Sequence, residues 1–306
     1  MTSSKKSKLF TKNKVLVVLG PTSSGKSALA ITLAKKFNGE VISADSRQAY
    51  KGFNLTSGKV TKREMQGVQH HLLDVASPSR TFSVTRFQKL GKKAIRDILR
   101  RGKLPIICGG TGLYIDALIY DYQFPKAKLD KKLRKELEKL TTAELFDKLK
   151  KLDAGRAKII DQNNPARLVR AIEIALQSDE PIPDLKTVFN KTSEYDLLKI
   201  GINPGSEILK DNIHKRILSR IKAGMIKEVK GLRKTLSDEH LMSFGLEYRW
   251  ITKFLRSEIS KSEMIKNLER DHKKYVKRQL TWWKKDEEIT WIKDSEKAEV
   301  LVRKFI

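Results

Sequence analysis

The chain has 306 residues, 39% of them apolar, which suffices for two compact units or for one large unit with an insertion. It carries 64 Lys and Arg against 36 Asp and Glu, and the resulting net charge of +28 favours a polyanionic partner, with nucleic acid the first candidate; the alternative is a lysine-rich composition that only solvates helix faces. The single cysteine, Cys108, excludes an intramolecular disulfide and a cysteine-based metal cluster, and indicates a reducing environment.

The beginning of the chain carries no membrane or secretion signal. No apolar run approaches the length of a membrane span, and the first residues lack the apolar segment of a secretory signal. Residues 1–13, rich in Lys and Ser, are predicted to be a disordered basic tail. These features predict a cytoplasmic protein that does not contact a membrane, and a monomer is the default expectation.

The apolar run 15–19 predicts a buried strand that leads into a glycine-rich loop and then into a helix. The loop matches the pattern G-x4-G-K-[ST] in its required setting between strand and helix. Its glycines let successive backbone N–H groups face an anion, Lys26 adds a positive charge, and Ser27 offers a hydroxyl to Mg²⁺. The pattern predicts a site for a di- or triphosphate, formed by Gly20, Pro21, Thr22, Ser23, Ser24, Gly25, Lys26 and Ser27.

A second short strand, 39–43, is predicted to end just before Asp45. In an open α/β sheet, groups at the carboxyl ends of strands line the ligand crevice, so Asp45 is expected near the phosphate loop. From its position alone Asp45 is either a catalytic carboxylate, a helix N-cap or an outer partner of Mg²⁺. Further along, His70 and His71 precede Asp74. Because no third ligand has a recognisable spacing, we expect the histidines to pack and hydrogen-bond rather than to bind a metal.

Residues 83–101 have the apolar spacing of a helix that covers the sheet. Another buried strand is predicted over 104–108, and it ends in the glycine-rich turn 109–112. Because this turn also follows a strand, the Thr111 hydroxyl is a candidate for the same crevice; alternatively, the glycines serve only the geometry of the turn.

Strand signals are absent from 122 to 195, where charged helices follow one another. The apolar residues at helical spacing are Leu129, Leu133, Leu137 and Leu140, then Leu145, Leu149 and Leu152, and finally Leu168, Ile172 and Leu176. This pattern predicts an all-helical insertion domain, 122–195, within an α/β core made of 14–121 and 196–306. The predicted fold class is a P-loop (NTPase-like) parallel sheet flanked by helices.

Strand character returns at 197–202, and a helix is predicted over 211–235 with Arg216 and Arg220 on one face. The last long helix, about 260–285, interleaves basic residues with Trp282 and Trp283. Such a helix suits phosphate contacts and base stacking; the alternative is that the tryptophans anchor the core while the lysines face water.

Six segments in this order resemble the tRNA dimethylallyltransferases, also called tRNA isopentenyltransferases: 20–27, 45–50, 70–74, 109–114, 167–172 and 277–282. In that family the phosphate loop holds a prenyl diphosphate rather than a nucleoside triphosphate. The acceptor is the N6 amine of adenosine 37, beside the anticodon. The resemblance therefore implies dimethylallyl diphosphate and the anticodon stem-loop of tRNA as substrates, with Mg²⁺ as cofactor.

The resemblance also implies roles for individual residues. Asp45 would accept the amine proton, Thr111 would lie at the reacting end of the pocket, and Arg220 would stabilise the leaving diphosphate. The implied tRNA contacts are Asp45, Ser46, Arg47, Gln48, Thr111, Arg134, Arg167, Leu168, Val169, Arg170, Ala171, Lys273, Lys277, Arg278 and Gln279.

The chain departs from the family pattern at several positions. Arg220 precedes Gly224 by only four residues, where the family has a longer spacer, and the usual Ile-Gly-Tyr-(Lys/Arg)-(Glu/Gln) is replaced by the segment 244–248, Phe-Gly-Leu-Glu-Tyr. A customary Arg is Lys273. The competing functions are a small-molecule kinase that uses the loop on ATP, an adenylate isopentenyltransferase that acts on free nucleotide, and a non-catalytic RNA-binding protein with a vestigial loop.

Overall fold

The computed structural model describes residues 12–120, 122–125, 127–177, 192–293 and 295–306. The chain divides into two compact units, one formed by the chain up to Ile119 together with Ser193–Ile306 and the other by Tyr120–Thr192. The predicted disordered tail, 1–13, lies outside the described residues except for Lys12 and Asn13. Asn13 already belongs to the first strand, so the core begins one residue earlier than predicted.

The larger unit contains a sheet of six parallel strands in the order β3-β2-β4-β1-β5-β6. The strands are β1 Asn13–Leu19, β2 Gly39–Ala44, β3 His70–His71, β4 Leu104–Gly109, β5 Tyr195–Ile202 and β6 Ile289–Ile292. Residues 15–19 of β1 are at most 1% exposed, because β1 lies between β4 and β5 and helices cover both faces of such a sheet.

The helices described are α1 Lys26–Lys36, α2 Lys62–Met65, α3 Val84–Arg100, α4 Gly112–Ile119, α5 Lys131–Leu137, α6 Thr142–Leu152, α7 Ala154–Ile159, α8 Pro165–Ala175, α9 Ser206–Lys222, α10 Met225–Leu232, α11 Asp238–Ser243, α12 Leu246–Leu255, α13 Lys261–Trp283 and α14 Ser295–Phe305. The single helix predicted over 211–235 is wrong, because α9 and α10 are separated at Gly224. That residue has φ +105°, a left-handed conformation that ends a helix and that glycine adopts without strain.

Helix α13 packs against α9 near its start and contacts the phosphate loop near its end. A capping box of Ser260 and Glu263 fixes its start. Its buried residues lie on one face of the helix, four positions apart except for one interval of seven. They are Met264, Leu268, His272, Gln279 and Trp283. Met264 and Leu268 pack with Ile213 and Ile217 of α9, so α9 and α13 are held side by side where both approach the site.

The helical unit has a core of its own. Leu137, Leu145, Leu149, Leu168 and Ile172 are at most 1% exposed and pack in one cluster. Three other leucines predicted to be buried on the same helix faces are 42–48% exposed: Leu129, Leu152 and Leu176. They lie at or beyond the ends of their helices, where helical spacing no longer places a side chain against the neighbouring helix.

Candidate active site

Three loops meet at the carboxyl edge of the sheet. The phosphate loop follows β1, Asp45 follows β2, and the glycine turn follows β4, and these three strands are neighbours in the sheet. In the pairing register Gly109 of β4 lies opposite both Leu19 and Ala44, so the three strands end at one level. Adjacent parallel strands therefore bring the predicted phosphate loop, carboxylate and hydroxyl to one crevice, as expected for an open α/β sheet.

The phosphate loop has the backbone that an anion site requires. Gly25 has φ +90° and precedes α1 directly, and no side chain caps the α1 N-terminus. Gly20 is also required, because a Cβ there would lie 2.5 Å from the carbonyl oxygen of Ile202. The first N–H groups of α1 are consequently left for an anion, which the helix dipole also favours.

A cavity of about 170 Å³ lies against this loop. Its charged lining residues are Lys26, Asp45, Arg47, Arg216, Glu247 and His272, and its uncharged ones include Thr22, Ser27, Tyr275 and Gln279. Ser24 Oγ, Arg216 Nε and His272 Nδ1 are buried and have no hydrogen-bond partner among the described residues. Buried polar atoms are normally paired, so the unpaired Nε–H of Arg216, a residue of the cavity lining, indicates a site for an anionic ligand.

The positive side chains of the cavity are partly desolvated. Burial lowers the pKa of Lys26, and the nearby Arg216 lowers it further, whereas Cys108 and Asp45 act to raise it. Burial likewise lowers the pKa of Arg216, and Glu247 and Asp45 oppose that change. A bound phosphate group would supply the missing negative charge, which is why such a cluster favours anion binding.

Arg216 is the guanidinium that completes the loop. Its Nη1 donates to Thr22 Oγ1 at 2.7 Å and to Ser23 Oγ at 3.3 Å. Arg220, the arginine singled out from the sequence, is not part of the cavity lining; it lies one turn further along α9, packed against Gly58. The sequence signal for Arg216 was its position on the same helix face as Arg220.

Asp45 caps a turn and lines the cavity. Its Oδ1 accepts hydrogen bonds from the backbone N–H of Arg47 at 2.8 Å and of Gln48 at 3.3 Å, so it caps the turn that follows β2 rather than a helix. The same residue lines the cavity together with Lys26, and its catalytic role stays a prediction. Within the part of the chain that the structure describes, the hydrogen bonds of this carboxylate all fall on Oδ1, which leaves Oδ2 available to a ligand.

Thr111 lies beside the cavity rather than in its wall. Its Oγ1 accepts from the backbone N–H of Ser46 at 3.4 Å, and it is hydrogen-bonded to the hydroxyl of Tyr275, which does line the cavity. Burial raises the pKa of Tyr275 to about 12, so its hydroxyl stays protonated at neutral pH and can act as a donor. Thr111 and Tyr275 thus form a hydroxyl pair next to Asp45.

Gln279 joins two of the three loops. Its Oε1 accepts from Thr22 N at 2.9 Å and its Nε2 donates to Gly110 O at 2.8 Å. It is 5% exposed, so its side chain forms a buried bridge between the two loops, and a tRNA contact through it stays a prediction. Gly110 is glycine because a Cβ there would collide with the Gln279 amide, and the glycines of this turn therefore serve close packing as well as turn geometry.

The two tryptophans of α13 differ. Trp283 is 2% exposed and anchors the core, whereas Trp282 is 40% exposed and donates from Nε1 to Asp116 Oδ2 at 2.7 Å. Gly112 lies under the Trp282 ring, where a Cβ would collide with it. Trp283 is therefore a core residue, as one of the two predicted alternatives had it. Trp282 keeps an exposed aromatic surface at the glycine turn.

The exposed side of α13 is basic. Lys273, Lys277 and Arg278 are exposed. Lys273 and Lys277 line a groove of about 780 Å³ together with Lys210, Lys284 and Trp291. The groove combines positive charge with an aromatic ring, which is the surface that phosphates and bases require.

Several implied tRNA contacts lie in the helical unit, and most are engaged within it. Arg134 donates from Nε and Nη2 to the buried Glu173, each at 2.6 Å, and Arg170 donates to Glu173 at 3.3 Å. Leu168, Val169 and Ala171 are at most 8% exposed and belong to the core of the helical unit, so a tRNA contact at these three positions stays a prediction. Arg167 is exposed.

The histidine pair lies at the far edge of the sheet and is hydrogen-bonded. His70 Nδ1 lies 2.9 Å from Val68 O, and His71 Nε2 lies 2.7 Å from Glu40 Oε2. Among the described residues there is no group of three or more His, Cys, Asp or Glu side chains arranged to hold a metal ion. The same residues include no helix long and apolar enough to cross a membrane.

The sheet order, the loop after β1 and the basic cavity define a P-loop α/β protein with a small anion site at the carboxyl edge of its sheet. The family model described as IPP transferase matches residues 48–286. The chain is 41% identical over 290 residues to the tRNA dimethylallyltransferase of Acetivibrio thermocellus, covering 93% of each chain, and 40% identical over 285 residues to that of Alkaliphilus oremlandii, covering 92% and 91%. The chain belongs to the tRNA dimethylallyltransferase family.

Solved structures agree with this assignment. The full-length tRNA isopentenylpyrophosphate transferase of Bacillus halodurans matches with a TM-score of 0.71 and 34% identity, over 96% of this chain and 95% of that one. A eukaryotic dimethylallyltransferase acting on tRNA matches with a TM-score of 0.79 and 27% identity, over 95% of this chain and 77% of that one. Both the P-loop fold class and the family predicted from the sequence are confirmed.

Proposed function

We propose that this protein transfers the dimethylallyl group of dimethylallyl diphosphate to N6 of adenosine 37 in tRNA and releases diphosphate. The observation that carries the proposal is the shared cavity: the phosphate loop with Lys26, the Arg216 guanidinium and the Asp45 carboxylate all line it. An anion cradle for a leaving group thus shares one cavity with a base for an incoming nucleophile. Because tRNA is modified inside the cell, a cytoplasmic location follows from the substrate, and a monomer remains the expectation.

The phosphate loop would hold the diphosphate. The uncapped N-terminus of α1, Lys26 and Arg216 all face the cavity, and negative charge accumulates on the diphosphate as the allylic C–O bond breaks. Donors fixed in advance stabilise that charge more in the transition state than in the ground state. Arg220 as a direct diphosphate contact stays a prediction, and the geometry favours Arg216 for that place.

Mg²⁺ fits the donor set of this cavity. Ser27 and Asp45 both line it and offer the hard oxygen ligands that Mg²⁺ prefers, with water and substrate phosphates completing such sites. The residues that would hold the ion are therefore Ser27, directly, and Asp45, directly or through water. When bound, Mg²⁺ would neutralise part of the diphosphate charge.

Asp45 would act as the general base. An exocyclic adenine amine is a weak nucleophile, and a carboxylate within hydrogen-bond reach can accept its proton as the C–N bond forms. Asp45 is oriented by the Arg47 and Gln48 N–H groups through Oδ1, so its other oxygen can face the amine. The Thr111 and Tyr275 hydroxyls lie beside it and would orient the adenine.

The tRNA would bind through its backbone to the basic surface. The net charge of +28 and the lysine-lined groove along α13 support a polyanionic substrate, and Lys273, Lys277, Arg278 and Arg167 are the exposed candidates for phosphate contacts. The target adenine must leave its stack to reach Asp45. Ser46, Arg47 and Gln48 follow Asp45 directly and remain candidates for contacts to the flipped nucleotide.

The decisive experiment compares acceptors. The purified protein is incubated with radiolabelled dimethylallyl diphosphate, Mg²⁺ and one acceptor: an unmodified anticodon stem-loop with adenosine at position 37, the same RNA with guanosine there, or free AMP. We expect label only in the adenosine RNA, and its loss in Asp45→Asn. Label in AMP alone would assign the protein to the free-nucleotide enzymes. No label in any acceptor, together with phosphoryl transfer in a parallel incubation with γ-labelled ATP, would make it a kinase.

A further inference from the structure

Glu247 is an acidic residue in the wall of a cavity that otherwise attracts anions. It lies in the first turn of α12, is 6% exposed, and lines the cavity next to His272. A carboxylate buried beside an anion site repels the anion and is costly to desolvate, so it has to be offset by a specific interaction.

Two side chains, an imidazole and a guanidinium, contact the carboxylate. His272 Nε2 lies 3.0 Å from Glu247 Oε1, and Arg220 Nη1 lies 3.8 Å from the same oxygen. Burial acts to raise the pKa of Glu247, but the charge and hydrogen bond of His272 and the charge of Arg220 outweigh it and lower that pKa to about 2. Glu247 is therefore ionised at any pH at which the protein would work.

The group that needs this charge is the arginine pair of α9. Arg216 and Arg220 are one turn apart, both pack against Gly58, and a Cβ there would collide with both guanidinium groups. Burial lowers the pKa of Arg220 to about 9, and the nearby Arg216 contributes to that lowering. Two mostly buried guanidinium groups this close repel each other, and without a counter-ion one of them would be displaced.

Glu247 is the carboxylate that forms an ion pair with Arg220 among the described residues. The charged groups around Arg220 are Arg216 on α9, Glu228 on α10, Glu247 on α12, His272 on α13 and Asp45 after β2. Glu228 accepts hydrogen bonds from the backbone N–H groups of Asn54, Leu55 and Thr56. Asp45 caps its own turn. Of these carboxylates, Glu247 approaches Arg220 most directly, with Oε1 3.8 Å from Arg220 Nη1.

We propose that Glu247, oriented by His272, is a positioning residue that balances the charge of Arg220 and thereby keeps Arg216 on Thr22 and Ser23, facing the diphosphate. The proposal rests on the proposed function for the identity of the anion. It acts through Arg216 and not by contact with substrate. It also explains why an acidic side chain is tolerated in the wall of an anion site.

The test is second-site rescue, measured by calorimetric titration of the full-length protein with inorganic pyrophosphate and Mg²⁺. We expect Glu247→Gln to weaken pyrophosphate binding by about tenfold, because the unbalanced arginines separate. Adding Arg220→Met removes the repulsion, and affinity should return to within about threefold of the unsubstituted protein. The matched control is Glu269→Gln, which breaks a Glu–His contact between α13 and α9, the helices that carry His272 and Arg220, and should leave affinity unchanged.

Three results would overturn the proposal: binding by Glu247→Gln as tight as or tighter than that of the unsubstituted protein, an equal loss with and without Arg220→Met, or no pyrophosphate binding by the unsubstituted protein. Circular dichroism checks folding. If Glu247→Gln does not fold, His272→Gln is compared with and without Arg220→Met, and a loss that Arg220→Met does not restore overturns the proposal equally. The titration contains no tRNA and therefore does not depend on prenyl transfer. If the titrations give the expected affinities but the protein does not prenylate tRNA, the result counts against the proposed function alone.

Discussion

Arg216 Nη1 lies 2.7 Å from the hydroxyl of Thr22, a residue 194 positions earlier in the chain. The phosphate loop is therefore completed by a side chain from a distant helix, and its cationic wall is shared between α1 and α9. This contact makes Arg216 the residue through which the affinity for diphosphate can be tested.

Replacing Arg216 by Gln should raise the KM for dimethylallyl diphosphate by about tenfold or more, because a charge-assisted contact in a partly desolvated cavity is lost. Steady-state kinetics at saturating tRNA provides the measurement. Lys215→Gln is the matched control, since Lys215 is the neighbouring cation and its side chain is 72% exposed. Equal KM values for the two variants would exclude Arg216 from the diphosphate site.

Replacing Asp45 by Asn should lower kcat by about 10²–10⁴-fold, the usual range for loss of a general base. The asparagine oxygen can still accept from the Arg47 and Gln48 N–H groups, so the turn and the thermal stability should be retained. Asp74→Asn, at a carboxylate that pairs with Lys59 away from the cavity, serves as the control. A kcat close to that of the unsubstituted protein would leave Asp45 with its capping role only.

Replacing Gln279 by Leu should lower the free energy of unfolding by about 3 kcal/mol, because the Thr22 N–H and the Gly110 carbonyl lose their partners in a buried place. Urea unfolding gives the comparison with Lys274→Gln, an exposed change on the same helix that should stay within about 0.5 kcal/mol. A loss of tRNA affinity without a loss of stability would instead favour the predicted tRNA contact through Gln279.

Stability should fall with acid through Glu40. Burial acts to raise the pKa of Glu40, but hydrogen bonds from Lys103, His71 and Arg101 outweigh it and lower that pKa to about 2. Its folded-state pKa is thus below its unfolded value, so its stabilisation is present above about pH 4.5 and is lost as the pH falls towards 2. The full contribution is roughly 3 kcal/mol.

Urea unfolding of the unsubstituted protein and of Glu40→Gln between pH 6 and pH 3 measures this contribution. The difference in free energy of unfolding between the two should be largest near pH 6 and should shrink as the pH falls. A difference that is constant with pH would mean that Glu40 does not carry the effect.

The parts of the site that could be predicted are those in which one stretch of sequence contains the whole pattern. The phosphate loop needs only the spacing of Gly20, Gly25 and Lys26 after an apolar run, and Asp45 needs only its place after β2. The break at Gly224 was also readable, since a glycine inside a helical pattern is the usual residue for a left-handed helix end. Strand β6 was not predicted, because four residues are too few to set a period.

What could not be predicted depends on which neighbour covers a side chain. Gln279 and Lys277 lie two residues apart in a basic stretch, yet Gln279 is buried between two loops and Lys277 lines a groove. Arg216 and Arg220 share a helix face, and only the approach of the phosphate loop distinguishes them. Helical spacing identifies a face, but the partner of that face comes from distant parts of the chain.

The bridge made by Gln279 sets an order of events during synthesis. The ribosome makes the phosphate loop near the start of the chain, but the side chain that ties it to the glycine turn is added about 250 residues later. At about 5–20 residues per second the two are separated by roughly 10 to 50 seconds. A nascent or truncated chain that ends before α13 therefore contains the phosphate loop without the side chain that ties it to the glycine turn.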